Sequence, residues 1–183
     1  MSDLLPLAPE VWRIPLLPAN ALNAYLIGDV VVDAGLPASA GRLLAALRDR
    51  PLSAHVLTHA HPDHQGASAR LCTDRGLPLW CGARDRAAAE SGTFAVGVAG
   101  VQGAVLNWAE RLGGPGYPVT RVLYEGDAVA DFVVVETPGH TPGHIALWRE
   151  RDGVLLIGDV ASYRNPLALH PGLRASGGVV TRD

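Results

Sequence analysis

Thr58-His59-Ala60-His61-Pro62-Asp63-His64-Gln65-Gly66 is the stretch on which the reading of this chain turns. It sets three histidines and a carboxylate between positions 59 and 64. Protonated imidazoles so crowded repel one another, and each ring needs a hydrogen-bond partner when buried. A metal ion removes both difficulties, because neutral imidazole and carboxylate are ordinary ligands for zinc or iron. The residues that lead in, His55-Val56-Leu57-Thr58, form a short run of the kind that makes a buried strand. At a strand end, residues two apart point the same way, so His59 and His61 can grip one ion together. Past Pro62 the chain is expected to turn into a helix from about Asp63 to Arg75, stopped by Gly76. That turn lets Asp63 and His64 face a neighbouring ion.

Two further segments belong with the first. Thr137-Pro138-Gly139-His140-Thr141-Pro142-Gly143-His144 follows a β-branched run, Phe132 to Glu136. Its prolines and glycines fix a tight loop, which suits His140 as a ligand held in one direction, while His144 opens the next strand and faces inward. Val154-Leu155-Leu156-Ile157-Gly158-Asp159 is an apolar strand ending in a carboxylate that could bridge two ions. All three segments end strands, so they can meet at one rim.

Outward from these segments the chain alternates. Val11 to Leu16, Ala24 to Ile27 and Val30 to Val32 read as strands, with Gly28-Asp29 as a hairpin turn. A helix is expected from about Ser39, then strand Leu77 to Cys81 and a helix from Arg84 to Glu90. Val119 to Tyr124, Phe132 to Glu136, His144 to Trp148 and Val154 to Ile157 return to strand. Strands, interleaved helices and strands again suggest sheet-on-sheet packing with helices outside. Residues 91–118, glycine-rich with a helix expected from Val98 to Leu112, read either as a lid insertion or as an ordinary surface helix. As a lid, the segment would line a pocket with Phe94, Val98, Val101 and Trp108. The tail, 164–183, is rich in Pro, Gly and Arg and reads as irregular.

Composition narrows the classes. The chain has 183 residues, 48% hydrophobic and 18% charged, which suits one domain, 1–183, with a real core. A net charge of -3 and a 5% aromatic share argue against a nucleic-acid partner. All 15 cationic side chains are arginine, a compositional bias without functional meaning. The two cysteines, Cys72 and Cys81, cannot make a disulfide scaffold and read as buried packing. Neither a secretory leader nor an apolar stretch of ~20 residues is present in the sequence, so no membrane association is expected and the location read from it is cytoplasmic.

Thr58 to Gly66 resembles the His-x-His-x-Asp-His signature of the metallo-β-lactamase-fold superfamily. Asp33 in Val31-Val32-Asp33-Ala34-Gly35, His140 and Asp159 fall where that family places its other motifs, in the same order. The resemblance covers about residues 11 to 163. It implies an α+β fold, a four-layer αββα sandwich with the site along one edge of two sheets. It further implies that His59, His61 and His140 hold a first metal and Asp63 and His64 a second, with Asp159 bridging. Asp33 would orient a ligand. Asn23 also resembles a recurrent family position and reads equally well as a turn residue.

The resemblance implies two divalent ions, zinc by preference, with iron and manganese compatible with the same donors. Such a pair lowers the pKa of bound water from 15.7 to about 7, supplying hydroxide that attacks a carbonyl or phosphoryl centre. Asp63 would orient the nucleophile and shuttle a proton. Aspartate at position 159 resembles the thioesterase (type II glyoxalase), lactonase and nuclease branches, whereas zinc β-lactamases have cysteine or serine there. The acidic balance disfavours the nuclease branch. The expected activity is therefore metal-dependent hydrolysis of a small ester-like substrate, a thioester or lactone. Two alternatives stand beside it. Some relatives use a single iron on residues equivalent to His59, His140 and Asp159 to oxidise persulfides. The other is a truncated relative with impaired metal binding. The chain departs from the family pattern after Asp159: dinuclear members have a further histidine ligand, and here only His170, in Leu169-His170-Pro171-Gly172, follows. Either His170 substitutes, or the second metal lacks a ligand, or the closing elements are missing; truncation is the favoured expectation.

Overall fold

The computed structural model describes residues 4–93, 113–162 and 174–175. The first sheet contains β1 (Leu5–Ala8), β2 (Val11–Pro15), β3 (Asn23–Ile27), β4 (Val30–Val32), β5 (Ala54–Leu57), β6 (Leu79–Gly82) and β7 (Val119–Leu123), in that spatial order. Short connections, tight turns between β1 and β2 and between β3 and β4 and a 3-10 turn (Pro18–Asn20) between β2 and β3, make β1 to β4 antiparallel, whereas β4 to β7 run parallel. Parallel neighbours need crossover connections. These are α1 (Ala40–Ala46) before β5, then α2 (Pro62–Gln65) and α3 (Ser68–Arg75) before β6, then α4 (Arg86–Ser91) before β7. The second sheet is antiparallel, β11 (Val154–Leu156), β10 (Ile145–Arg149), β9 (Phe132–Glu136) and β8 (Ala128–Val129). A last pair, β12 (Ala161–Ser162) and β13 (Arg174–Ala175), shows that the tail is not wholly irregular.

Strand alternation assigns the two cores. Val31 and Leu57 face the helices, where they pack with Leu43, Leu47, Leu71 and Cys72. Val30, Val32, Ala54 and Val56 face the second sheet and meet Phe132, Val134, Ile145 and Leu147. The centre of the first sheet, β4 and β5, is thus dry on both faces, which explains why these strands read as continuous apolar runs. Among the described residues a helix layer, a sheet and a second sheet stack in the order of the expected αββα sandwich. On the outer face of the second sheet Leu155, Trp148 and Val133 lie in register across three strands, with Leu155 and Val133 exposed.

Arg149 joins the sheets at the end away from the histidines. Its buried guanidinium donates to Asp131, Asp152 and the Pro9 carbonyl oxygen, and lies over the Phe132 ring. Pro9 sits in the β1–β2 turn, so one cation stitches the first sheet's hairpin to the second.

The expected helix from Asp63 to Arg75 is two helices. Gly66 is wedged against the loop after β4: a side chain there would come within 2.5 Å of Pro37 Cδ and 2.8 Å of the Gly35 carbonyl oxygen. That packing redirects the chain between α2 and α3, and Gly76 ends α3 in the left-handed conformation as expected. Strand β1 carries no sequence signal, being an exposed edge with Pro6 in it. The helix expected over 98–112, the lining residues Phe94, Val98, Val101 and Trp108, and His170 all lie outside the described residues.

Both thiols are buried, and burial pushes each up to about 12, helped at Cys81 by Asp85 and Glu90. The nucleophilic thiolate is then on the order of one part in ten thousand at pH 8. An aromatic disulfide reagent at that pH is expected to leave the native protein unlabelled and to titrate both cysteines once guanidinium unfolds it. Fast labelling of the native protein would contradict this packing.

Candidate metal centre

The site begins with Asp33, the residue after β4. Its φ of +58° is left-handed, a conformation aspartate tolerates better than most residues. The buried carboxylate accepts from the Thr58 backbone N–H at 2.8 Å and from the Thr58 hydroxyl at 2.9 Å, both at the end of neighbouring β5. It also accepts from His64 Nδ1 at 2.8 Å, at the far end of α2. Main-chain bonds brace the same corner: Asp33 N–H donates to Val56 O and Ala34 N–H to His64 O.

This network fixes ring tautomers. His64 donates Nδ1–H to Asp33, which turns its Nε2 into the cluster. Thr58 has one hydroxyl proton, and Asp33 takes it. The Thr58 oxygen, 3.1 Å from His59 Nδ1, therefore accepts from His59 and leaves the Nε2 of that ring as a lone pair. His59 Nε2 lies 3.1 Å from His61 Nδ1, a spacing that needs a proton or a cation between two nitrogens. His61 itself is extended, with Pro62 starting α2 immediately after it, so the chain reverses between the second and third histidines.

From the second sheet comes the loop between β9 and β10. His140 stacks edge-on to His59 and His61, with ring centroids 4.7 and 4.5 Å away. Its Nε2 is buried without a hydrogen-bond partner, although Asp159 Oδ2 lies 3.4 Å from it. His144 is buried, as expected, and holds Asp159 in place: the Asp159 N–H donates to His144 Nε2 at 3.0 Å, while His144 Nδ1 bonds the Thr137 hydroxyl at 2.7 Å. Only glycine fits at position 158, where φ is +51° and a Cβ would press 2.6 Å from His144 Nε2.

Two compact groups of donors result. One atom each from His59, His61 and His140 lie within 4.8 Å of one another, and so do atoms from His59, His64 and Asp159. Asp159, a member of the second group, stands 3.4 Å from His64 Nε2 and also 3.4 Å from His140 Nε2 of the first. Asp63 belongs to neither; it is half-exposed, with Oδ2 3.7 Å from His64 Nε2. Asn23 is remote in role, its amide donating to Asn20 O as a turn residue would. The Nε2 of His140, buried without a hydrogen bond, and the inward Nε2 atoms of His59 and His64 suit a divalent cation. Metal-ligating histidines need such a lone pair and a second nitrogen tied elsewhere.

The electrostatics divide the rings: His59, His61 and His144 are held neutral, whereas His64 is drawn toward its protonated form by the carboxylates around it. Burial, then the neighbouring His64, His61 and His144, push His59 well below the usual histidine range. Burial and then His140 bring His61 down to about 4, and burial brings His144 to about 4. For His64 burial acts in the same direction but is outweighed by Asp33, Asp159 and Asp63, which carry it well above the ordinary value. Burial would raise Asp159, yet the adjacent His140 and His64 hold its carboxyl well below the usual carboxylate range. The part of Thr58 was missed in the sequence, where nothing distinguishes a threonine that relays a hydrogen bond from one that ends a strand.

A sandwich of two sheets whose strand ends cage histidines and carboxylates defines a class of metal-binding proteins, and likeness to known proteins leads to the same class. Residues 18–179 match the profile of the metallo-beta-lactamase superfamily, and the chain belongs to that superfamily. A hydroxyacylglutathione hydrolase of Methylococcus capsulatus is 33% identical, over 82% of this chain and 51% of its own length. The probable metallo-hydrolase YflN of Bacillus subtilis is 29% identical, over 71% of this chain and 54% of its own. The crystal structure of a beta-lactamase domain protein from Burkholderia ambifaria superposes with a TM-score of 0.71 at 30% identity, covering 90% of this chain and 59% of that one. The chain therefore spans little more than half the length of these relatives.

Replacing Asp33 by asparagine leaves the buried His64 without its anion and turns an amide toward its donors. Breaking a buried pair in this way costs about 3–5 kcal/mol. Urea unfolding of Asp33→Asn in the presence of a chelator is expected to show a loss of that size; an unchanged midpoint would remove Asp33 from its anchoring role.

Proposed function

We propose that this chain is a metal-dependent hydrolase of small thioester-like substrates. The observation that carries the reading is the pair of donor groups, each within 4.8 Å, that share His59, the second of them including Asp159. His59, His61 and His140 would hold one divalent ion, zinc by preference. His64 and Asp159, with Asp63 beside them, would hold a second. When bound, such ions lower the pKa of water and polarise a carbonyl, the chemistry that ester cleavage at neutral pH requires.

The residues divide the remaining work. Asp33 holds His64, and through Thr58 it holds His59, so two rings present fixed nitrogens. His144 pins the Asp159 backbone and so aims its carboxylate between His64 and His140. Half-exposed Asp63 is the carboxylate at hand to orient the attacking water and take its proton. No serine or cysteine nucleophile is called on, since both cysteines are buried and disfavour the thiolate.

The thioester preference is supported by the relatives named hydroxyacylglutathione hydrolases, of Methylococcus capsulatus and others, and by aspartate at position 159. A lactone is the neighbouring substrate class. The net charge of -3 supports a small molecule over a nucleic acid as partner. Among the described residues no helix is long and apolar enough to cross a membrane. The mononuclear iron reading would use His59, His140 and Asp159; neither compact group is that triad.

The test is the zinc-loaded chain against thioesters, lactones and phosphodiesters, beside His61→Ala. Thioester turnover is expected, and the variant should fall by more than the ~10–100-fold typical of losing an outer hydrogen-bonding partner. No turnover above the variant across the panel rejects hydrolysis. Oxygen uptake with glutathione persulfide by an iron-loaded chain would put the oxidoreductase in its place.

A further inference from the structure

Asp85 ends the single 3-10 turn (Ala83–Asp85) that follows β6, and none of the chemistry above uses it. Its carboxylate is wholly buried. Oδ2 accepts from the Ala60 backbone N–H at 3.0 Å and from the Thr141 hydroxyl at 2.6 Å, and Oδ1 accepts from the Gly143 backbone N–H at 2.7 Å. These donors come from two loops far apart in sequence. Ala60 is the residue between His59 and His61, and Thr141 follows His140 directly.

The contact is made tight by the backbone. A Cβ on Gly82 would overlap the Gly143 carbonyl oxygen, and a Cβ on Gly143 would overlap the Asp85 backbone nitrogen. Two glycines thus let the end of β6 touch the loop before β10, which brings the Gly143 N–H onto the carboxylate. Burying a carboxylate against two amides and a hydroxyl is a costly way to join two loops if apolar contact would suffice. What the carboxylate provides and apolar packing does not is direction: each oxygen fixes an N–H vector, and so the peptide plane beside a histidine.

We propose that Asp85 is a positioning residue that sets the separation and orientation of His59 and His61, from the first sheet, relative to His140, from the second. The proposal rests on the metal-centre reading given above. Asp85 touches no ligand ring; it acts through the main chain on either side of them. Asp33 orders rings within the first sheet's half of the site, and Asp85 joins that half to the other.

The experiment uses the full chain with Asp85→Asn and, as a milder change that keeps both backbone donors, Thr141→Val. Zinc affinity is read by competition with a chromogenic chelator, coordination by the visible spectrum of the cobalt(II) form, and the clamp by amide exchange at Ala60 and Gly143. Asp85→Asn is expected to weaken zinc by ~10–100-fold, the range for hydrogen-bond partners that orient ligands. It should alter the cobalt spectrum and deprotect those two amides while amides of β3 and β4 stay protected. Thr141→Val should move the same readouts less far, and it decides the matter if the asparagine variant does not fold. Undiminished zinc affinity and an unchanged cobalt spectrum in both variants overturn the clamp. A wild-type chain that takes up neither zinc nor cobalt overturns the metal-centre reading itself, a result distinct from the first.

Discussion

The carboxylate of Asp33 accepts from the end of the next strand and from the helix beyond it, and the histidine cluster hangs from that junction. It lies where β4 gives out, and its three donors belong to Thr58 and His64, which bracket the histidine stretch. Taking such an anion out of water is expensive, and once it is buried, leaving its partners alone costs more still. The left-handed backbone at Asp33 is a strain borne at one residue that turns the carboxylate under β5.

Topology does the rest. Parallel β4, β5 and β6 all end on the same rim, so Asp33, the histidine stretch and Asp85 arrive together without any long-range coincidence. The antiparallel sheet contributes its own rim through the loop from β9 to β10 and the turn after β11, which carry His140 and Asp159. Neither sheet alone holds a full set of donors. The site exists because the two sheets pack face to face through Val32, Val56, Val134 and Ile145 and their neighbours.

Where burial and alternation coincide, the sequence was legible. Val30 to Val32 and Ala24 to Ile27 announce strands because every residue or every second one is dry. The histidine stretch stands out because three imidazoles beside a carboxylate have little to do at a strand end except hold a cation. Legibility fails where a residue's neighbours are distant. The β1 edge has no buried face to write a pattern. The break at Gly66 is imposed by Pro37 and Gly35, about thirty residues upstream, and no local rule contains it. Asp85 sits in Gly82-Ala83-Arg84-Asp85, which reads as an ordinary turn, and its partners lie 25 and 58 residues away.

The two sheets are not equally secure. The first is dry on both sides at its centre, whereas the second has a dry inner side and an outer one where Val133 and Leu155 meet solvent. Cooperative units open in order of how much apolar contact they would forfeit, so the four-stranded layer is the one that peels first. It would carry His140 and Asp159 away and leave His59, His61 and His64 behind on the sturdier half. An ion gripping both halves would then also be the rivet between them, and its capture and the docking of these layers would be one equilibrium.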